Sequence, residues 1–296
     1  CGTEGGSGRW GGGVHGTQNG GFGTARRDEL ETILEWAAEE GWNPGLEDAA
    51  AFWQADPEGF FVATVDGQLA AAFSVAATTE NFAFLGLYIA RPAFRGQGIG
   101  YGLWEHALQH AGARVVGLDG VPDQQDNYAA SGFELFSATT RFTGEVVARE
   151  SDRVREAAPE DVATLIDLEA AASGVRKPAY LAAWFAPVES RQTWIMQVAN
   201  GVAGFCTARR CREGVKIGPL WAQGEEHAQA LIAHVAATMG GPGTLDVPDT
   251  SASLKALCQS LNLTPGFATA RMYRGASVPV GDASGGYFAV STLELG

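Results

Sequence analysis

The sequence predicts an α/β (α+β) protein in which one fold occurs twice in tandem, and three observations carry that prediction. An apolar run, Phe84-Leu-Gly-Leu-Tyr-Ile-Ala90, passes through the glycine-rich turn Arg95-Gly96-Gln97-Gly98-Ile99-Gly100 into a helix-like stretch over 101–110. Ahead of it a helix-period segment is followed by a hairpin, so helices and strands alternate within one unit. Finally, Leu118-Asp-Gly-Val-Pro-Asp123 returns as Leu245-Asp-Val-Pro-Asp249. Each copy is followed by a helix, a Gly-Phe pair (Gly132-Phe133, Gly266-Phe267) and a strand holding Arg141 or Arg271. Repetition at the scale of a domain points to two copies of one fold.

The elements follow in order. Residues 1–23 hold eleven glycines, with Trp10, His15 and Phe22 isolated among them, and read as a disordered or foreign extension. Leu30, Ile33, Leu34, Trp36 and Ala37 keep helical spacing until Gly41-Trp42-Asn43-Pro44-Gly45 breaks it, and 46–54 gives a second short helix. No strand is legible before the first helix. Residues 60–65 and 68–75 flank Asp66-Gly67, a favoured hairpin turn. The strand over 82–89 enters the glycine turn and its helix, and Val115-Val-Gly-Leu118 is the next strand. The first unit spans 24–148 and the second 149–296, where the chain starts again with a strand near Val154 and a helix face of Val162, Leu165, Ile166 and Leu168.

Composition excludes several classes. The chain has 296 residues, 46% hydrophobic and 18% charged, enough for about two domains. Its apolar runs are too short for a spanning helix or a secretory segment, so no membrane partner is expected. A net charge of −14 argues against a nucleic-acid binder built on phosphate contacts. The four cysteines form no Cys-x-x-Cys pair, which fits a reducing cytoplasm. No metal is expected: Cys206 and Cys211 lack a second pair, and His106 and His110 lack a third ligand.

The turn at 95–100 is an anion cradle, because glycines let backbone approach a ligand and the first N–H groups of a helix are unpaired. Its glycines fall at 96, 98, 100 and 102, which is not the 1, 3, 6 spacing of a dinucleotide fingerprint, and no Gly-Lys-Ser/Thr follows. With Arg91-Pro92 upstream and Tyr128 four residues before Gly132-Phe133, the pattern resembles the GNAT acetyltransferase superfamily. Over about 28–296 it is similar to the tandem type, with an N-terminal GNAT domain and a divergent C-terminal GNAT-like one. The segments that carry this are Glu40-Gly-Trp-Asn-Pro-Gly-Leu46, Asp56-Pro-Glu-Gly-Phe60, Leu118-Asp-Gly-Val-Pro122, Arg212-Glu-Gly-Val-Lys-Ile-Gly-Pro-Leu220 and Leu293-Glu-Leu-Gly296.

The resemblance implies, in each half, a mixed, mostly antiparallel twisted sheet flanked by helices. It implies acetyl-CoA as co-substrate, its pyrophosphate on Arg95, Gly96, Gln97, Gly98, Ile99, Gly100 and Tyr101, its thioester carbonyl on the Ile89 N–H, and its pantetheine arm on Asn127. Tyr128 becomes the acid for the departing thiolate, and Asp119 or Glu40 the general base; capping of a turn for Asp119 and plain solvation for Glu40 are equally open. Trp42, Asn43 and Tyr88 border the acceptor, a primary amine of a small molecule or peptide. The second half carries Gln223-Gly224-Glu225-Glu226-His227 where the cradle would recur and Asn262 where the Tyr would stand, so it reads as degenerate. The function expected is an N-acetyltransferase working by direct attack in a ternary complex, compatible with a homodimer. The alternative is a non-catalytic CoA or ligand sensor, and a longer acyl-CoA also fits.

Overall fold

The computed structural model describes residues 20–199, 201–282 and 286–296; Cys1, Trp10 and His15 lie outside them. The first half runs β1 (Gly20–Thr24), α1 (Arg27–Glu39), α2 (Asp48–Ala55), β2 (Phe60–Val65), β3 (Gln68–Ala76), β4 (Phe82–Ala90), α3 (Ile99–Leu108), β5 (Val115–Gly120), α4 (Gln125–Ala130) and β6 (Glu134–Gly144). The second runs β7 (Val154–Glu156), α5 (Val162–Ser173), α6 (Pro178–Phe185), β8 (Arg191–Val198), β9 (Gly201–Arg210), β10 (Val215–Ala222), α7 (Glu225–Met239), β11 (Gly243–Pro248), α8 (Ala252–Ser260), β12 (Thr264–Arg274) and β13 (Tyr287–Ala289). No helix among the described residues is long and apolar enough to cross a membrane.

The first correction concerns the glycine-rich start. Its end, Gly20 to Gly23, is part of β1, which pairs antiparallel with β2 from Gly20↔Val65 to Thr24↔Phe61. Glycine has no side chain to write a two-residue period, so the strand is made by its ladder and not by propensity. Phe22 closes over α3, where a Cβ on Gly102 would come within 2.6 Å of its ring. α1 then opens with the Glu29 carboxylate accepting from the Arg26 N–H at 2.7 Å.

The second finding is how the halves join. All strands form one sheet, ordered β1-β2-β3-β4-β5-β12-β6-β11-β10-β9-β8-β7, with β13 on β10. β12 of the second half pairs with β5 of the first, and β6 of the first pairs with β11 of the second. The halves have exchanged their last strands. At the crossing, β6 and β12 run antiparallel with Thr139 opposite Thr269. The exchange brings two equivalent acid–base pairs to equivalent places: Arg271 grips Asp119 at 2.9 and 2.7 Å, and Arg141 grips Asp246 at 2.7 and 2.9 Å.

The core has one shared layer. Leu30, Phe52 and Leu87 of the first half pack in the same cluster as Tyr180, Trp184 and Phe205 of the second, and Phe52 stacks on Trp184 at 6.1 Å. The opposite face is divided, α3 covering the first half through Leu103 and Trp104, α7 and α8 covering the second through Leu231 and Leu254. Buried charge reinforces the shared layer. Asp48 receives Arg209 at 3.1 Å, and both Arg191 and Arg209 lie over the Trp184 ring, at 4.7 and 4.8 Å.

Candidate active site

A cavity of about 760 Å³ opens where the first half's sheet splits, walled by β4, β5, the α1–α2 break, strands β6 and β12, and the segment around Leu293 and Glu294. β4 and β5 run parallel only from Phe82↔Val115 to Leu85↔Leu118. Beyond Leu85 they part. The cause lies in β4: Ser74 opposes Gly86 while Ala72 opposes Ile89, so one extra residue is accommodated, and Leu87 takes φ +49°, a backbone region that costs a non-glycine residue strain.

The bulge also decides which amides face the gap. The Arg91 N–H donates to the Ala70 carbonyl at 2.9 Å, and Ala71 and Ala72 stand opposite Ala90 and Ile89. Ladder bonds alternate in an antiparallel pair, so the Ile89 N–H points at β3 and those of Tyr88 and Ala90 point into the gap. This corrects Ile89 as the expected carbonyl donor. Before the bulge the phase is opposite, since Asn81 accepts from Val115 of β5. Spacing along the sequence could not show that one inserted residue reverses it.

At the gap's mouth, Gly96 and Gly98 have φ +72° and +77°, and a Cβ on either would project into open space. The first bond within α3 runs from the Gly102 N–H to the Gly98 carbonyl, leaving the N–H groups of Ile99, Gly100 and Tyr101 ahead of it. Such a turn fits an anion. Gly100 serves packing: a Cβ there would sit 2.8 Å from the Tyr88 hydroxyl. Gln97 bonds back to the Ala93 carbonyl at 2.9 Å, Tyr101 donates to Glu105 at 3.0 Å, and Asn127 donates to Gln124 at 2.9 Å. Arg95 bonds the Ala90 carbonyl and the Glu40 carboxylate, so two expected site residues form one ion pair across the mouth.

Tyr128 and Tyr88 line the cavity together. Tyr128 stacks on Trp104 at 5.6 Å and packs edge-on to Phe133, so the ring is fixed by the same Gly-Phe pair that flagged it in the sequence. Burial, then the neighbouring Tyr88, pushes its hydroxyl well above the ordinary phenol value; burial pushes Tyr88 up to about 12. Both remain protonated donors at neutral pH.

Two expected residues are used elsewhere. Both Asp119 oxygens are taken by Arg271, Thr269 adds a contact at 3.4 Å, and the carboxylate is fully shielded, which corrects its reading as a base. Asn43, at φ +51°, exchanges bonds with the backbone of Glu213 at 2.8 and 3.2 Å and clamps the halves; it does not line the cavity. Trp42 does, with its carbonyl held by Lys216 at 2.8 Å. Sequence reasoning missed Phe267, Thr269 and Glu294, which reach this cavity from the second half. Their only signal was membership of the repeat or of the terminal Leu-Glu-Leu-Gly segment.

The second half has the same split, filled from within. β10 and β11 run parallel from Val215↔Gly243 to Ile217↔Leu245, and beyond Ile217 β13 lies antiparallel on Leu220–Ala222 while the Val290 N–H donates to the Asp246 carbonyl at 3.0 Å. The chain's own terminal segment occupies the gap, and α7 opens with Glu225 and Glu226. An anion and an extended arm are both opposed there.

Comparison with known proteins agrees with this geometry. The description "Acetyltransferase (GNAT) family" matches residues 27–133 and "Acetyltransferase (GNAT) domain" matches 165–287. A holothin acyltransferase from Pseudoalteromonas sp. (strain SANK 73390) is 31% identical over 92% of this chain and 93% of its own. The crystal structure of a putative acetyltransferase from Pyrococcus horikoshii superposes with a TM-score of 0.78 at 16% identity, covering 96% and 98% of the two chains. A tandem GNAT protein from the clavulanic acid biosynthesis pathway superposes at 0.59 and 15% identity, covering 88% of this chain and all of that one. The protein belongs to the GNAT acetyltransferase family, with two such domains in tandem, and it is an acyltransferase.

Proposed function

We propose that the first half transfers an acetyl group from acetyl-CoA to a primary amine of a small molecule or peptide, by direct attack with both substrates bound. What carries the reading is the convergence of an open strand split, an anion turn and a buried tyrosine on one cavity. The N–H groups opening α3, with Arg95, hold the pyrophosphate. The Tyr88 N–H, aimed into the gap, opposes charge developing on the thioester oxygen. Tyr128, protonated at neutral pH, gives the leaving sulfur its proton. The second half supplies acceptor walls and binds no CoA, because β13 fills its gap.

Titration calorimetry with acetyl-CoA tests this: one site per chain is expected, followed by thiol release in a screen of polyamines, amino acids, aminoglycosides and peptide N-termini. Two equivalent sites would refute the division of labour. Tight binding with no turnover of acetyl-CoA or longer acyl-CoAs would turn the reading to a sensor.

A further inference from the structure

Glu294 stands out among the carboxylates of the cavity. Asp119 is gripped by Arg271 and Glu40 by Arg95, whereas the Glu294 carboxylate makes no hydrogen bond or ion pair with any described residue, although the residue is only 7% exposed and lines the cavity. Leaving a buried carboxylate unpartnered costs free energy, and a bound cation would recover it.

Its backbone is fixed on both sides. A Cβ on Gly86, at the start of the β4 bulge, would run into the Glu294 carbonyl; a Cβ on Gly218 in β10 would run into the Val290 carbonyl. The terminal segment thus crosses both halves at corresponding strand irregularities. It is pinned beyond Glu294 by buried Leu295 and by Lys177, which bonds the Gly296 carbonyl while paired with Glu169 at 3.0 Å. Gly86 lies two residues before Tyr88, whose N–H faces the gap. The groups whose charge couples to Glu294 are Arg141, Arg209, Lys216 and Tyr180. Arg141 and Arg209 already hold Asp246 and Asp48, so they do not cancel it. The remaining walls are aromatic: Trp42, Tyr88, Tyr128 and Phe267.

We propose that Glu294 receives the acceptor, the ammonium of a compact aromatic primary amine, and deprotonates it for attack; this rests on the acetyltransferase reading above. One nitrogen proton passes to Glu294, and the freed lone pair forms the N–C bond with the acetyl carbon. The C–S bond breaks with its electron pair on sulfur, which takes the Tyr128 proton. The second nitrogen proton restores Tyr128, and Glu294 releases its proton to water. The balance is one amide, one thiol and one proton.

Phenethylamine is the probe, assayed by thiol release from acetyl-CoA as a function of pH, with Glu294→Gln and Glu294→Asp. Acetyl-CoA affinity should be unchanged in both, while kcat with phenethylamine falls about 10²–10⁴-fold in Glu294→Gln and less in Glu294→Asp. In wild type kcat/KM should have an acid limb that Glu294→Gln loses, its residual rate rising with pH as free amine accumulates. Should Glu294→Gln fail to fold, the same shift in Glu294→Asp decides. Turnover within twofold of wild type with an unaltered pH profile overturns the proposal, as does thiol release that other amines accelerate and phenethylamine does not. Failure of the wild type to bind acetyl-CoA would overturn the acetyltransferase reading itself.

Discussion

A phenol raised by burial stays protonated at neutral pH, so Tyr128 suits an acid and not a base. Tyr128→Phe keeps the stack on Trp104 and removes only the hydroxyl. Acetyl-CoA KM should change little while kcat falls about 10²–10⁴-fold; an unchanged kcat in folded protein, with chemistry rate-limiting, would return the ring to a packing role. Asp119 should behave in the opposite way. Asp119→Asn breaks a shielded ion pair with Arg271, so about 3–5 kcal/mol of stability should go, visible in denaturant titration, while the pH profile of kcat keeps its shape. At the turn, Gly98 has φ +77° with open space before it. Gly98→Ala should cost about 1–2 kcal/mol of backbone strain, whereas Gly98→Asp also sets a charge against the pyrophosphate and should abolish acetyl-CoA binding in calorimetry.

The elements that decide the architecture are β6 and β12, and their Arg–Asp pairs can be titrated. Burial opposes ionisation of Asp246, but the bonds and charge of Arg141, helped by Lys216 and Arg209, outweigh it and hold the carboxyl below its ordinary value. Stability from the pair is therefore complete above the unfolded carboxylate value of about 3.9 and is lost as pH falls through the lower folded one. Acid unfolding monitored by circular dichroism should show a steep limb below pH about 4, and Asp246→Asn, less stable at pH 7, should show a shallower one. Elements with local signals were legible: the run at 84–90, the glycine turn and the Asp66-Gly67 hairpin each encode their shape within a dozen residues. β1 was hidden because glycines carry no pattern. The exchange was hidden because pairing of β12 with β5 depends on register between segments some 150 residues apart. For the same reason Asp119 looked free: its partner, Arg271, lies in the other half.

At the scale of the whole molecule, the exchange makes the boundary near residue 148 a boundary in sequence only. Cut there, the first half loses β12 from beside β5 and the second loses β6 from beside β11, leaving an unpaired edge on each piece. Each piece also loses one side of the layer in which Phe52 stacks on Trp184. The full chain should accordingly melt in one cooperative transition in scanning calorimetry. Phe52→Ala, at a fully buried position, should lower that single transition by the equivalent of about 3–5 kcal/mol without splitting it. Residues 20–148 alone should expose strand edges and fail to bind acetyl-CoA, although every residue of the anion turn is present. Acceptor walls from Phe267 and Glu294 would be missing as well, so even a refolded fragment should release no thiol. Two well-separated transitions in the full chain, with a first half that is active alone, would show that the shared sheet is not a shared folding unit.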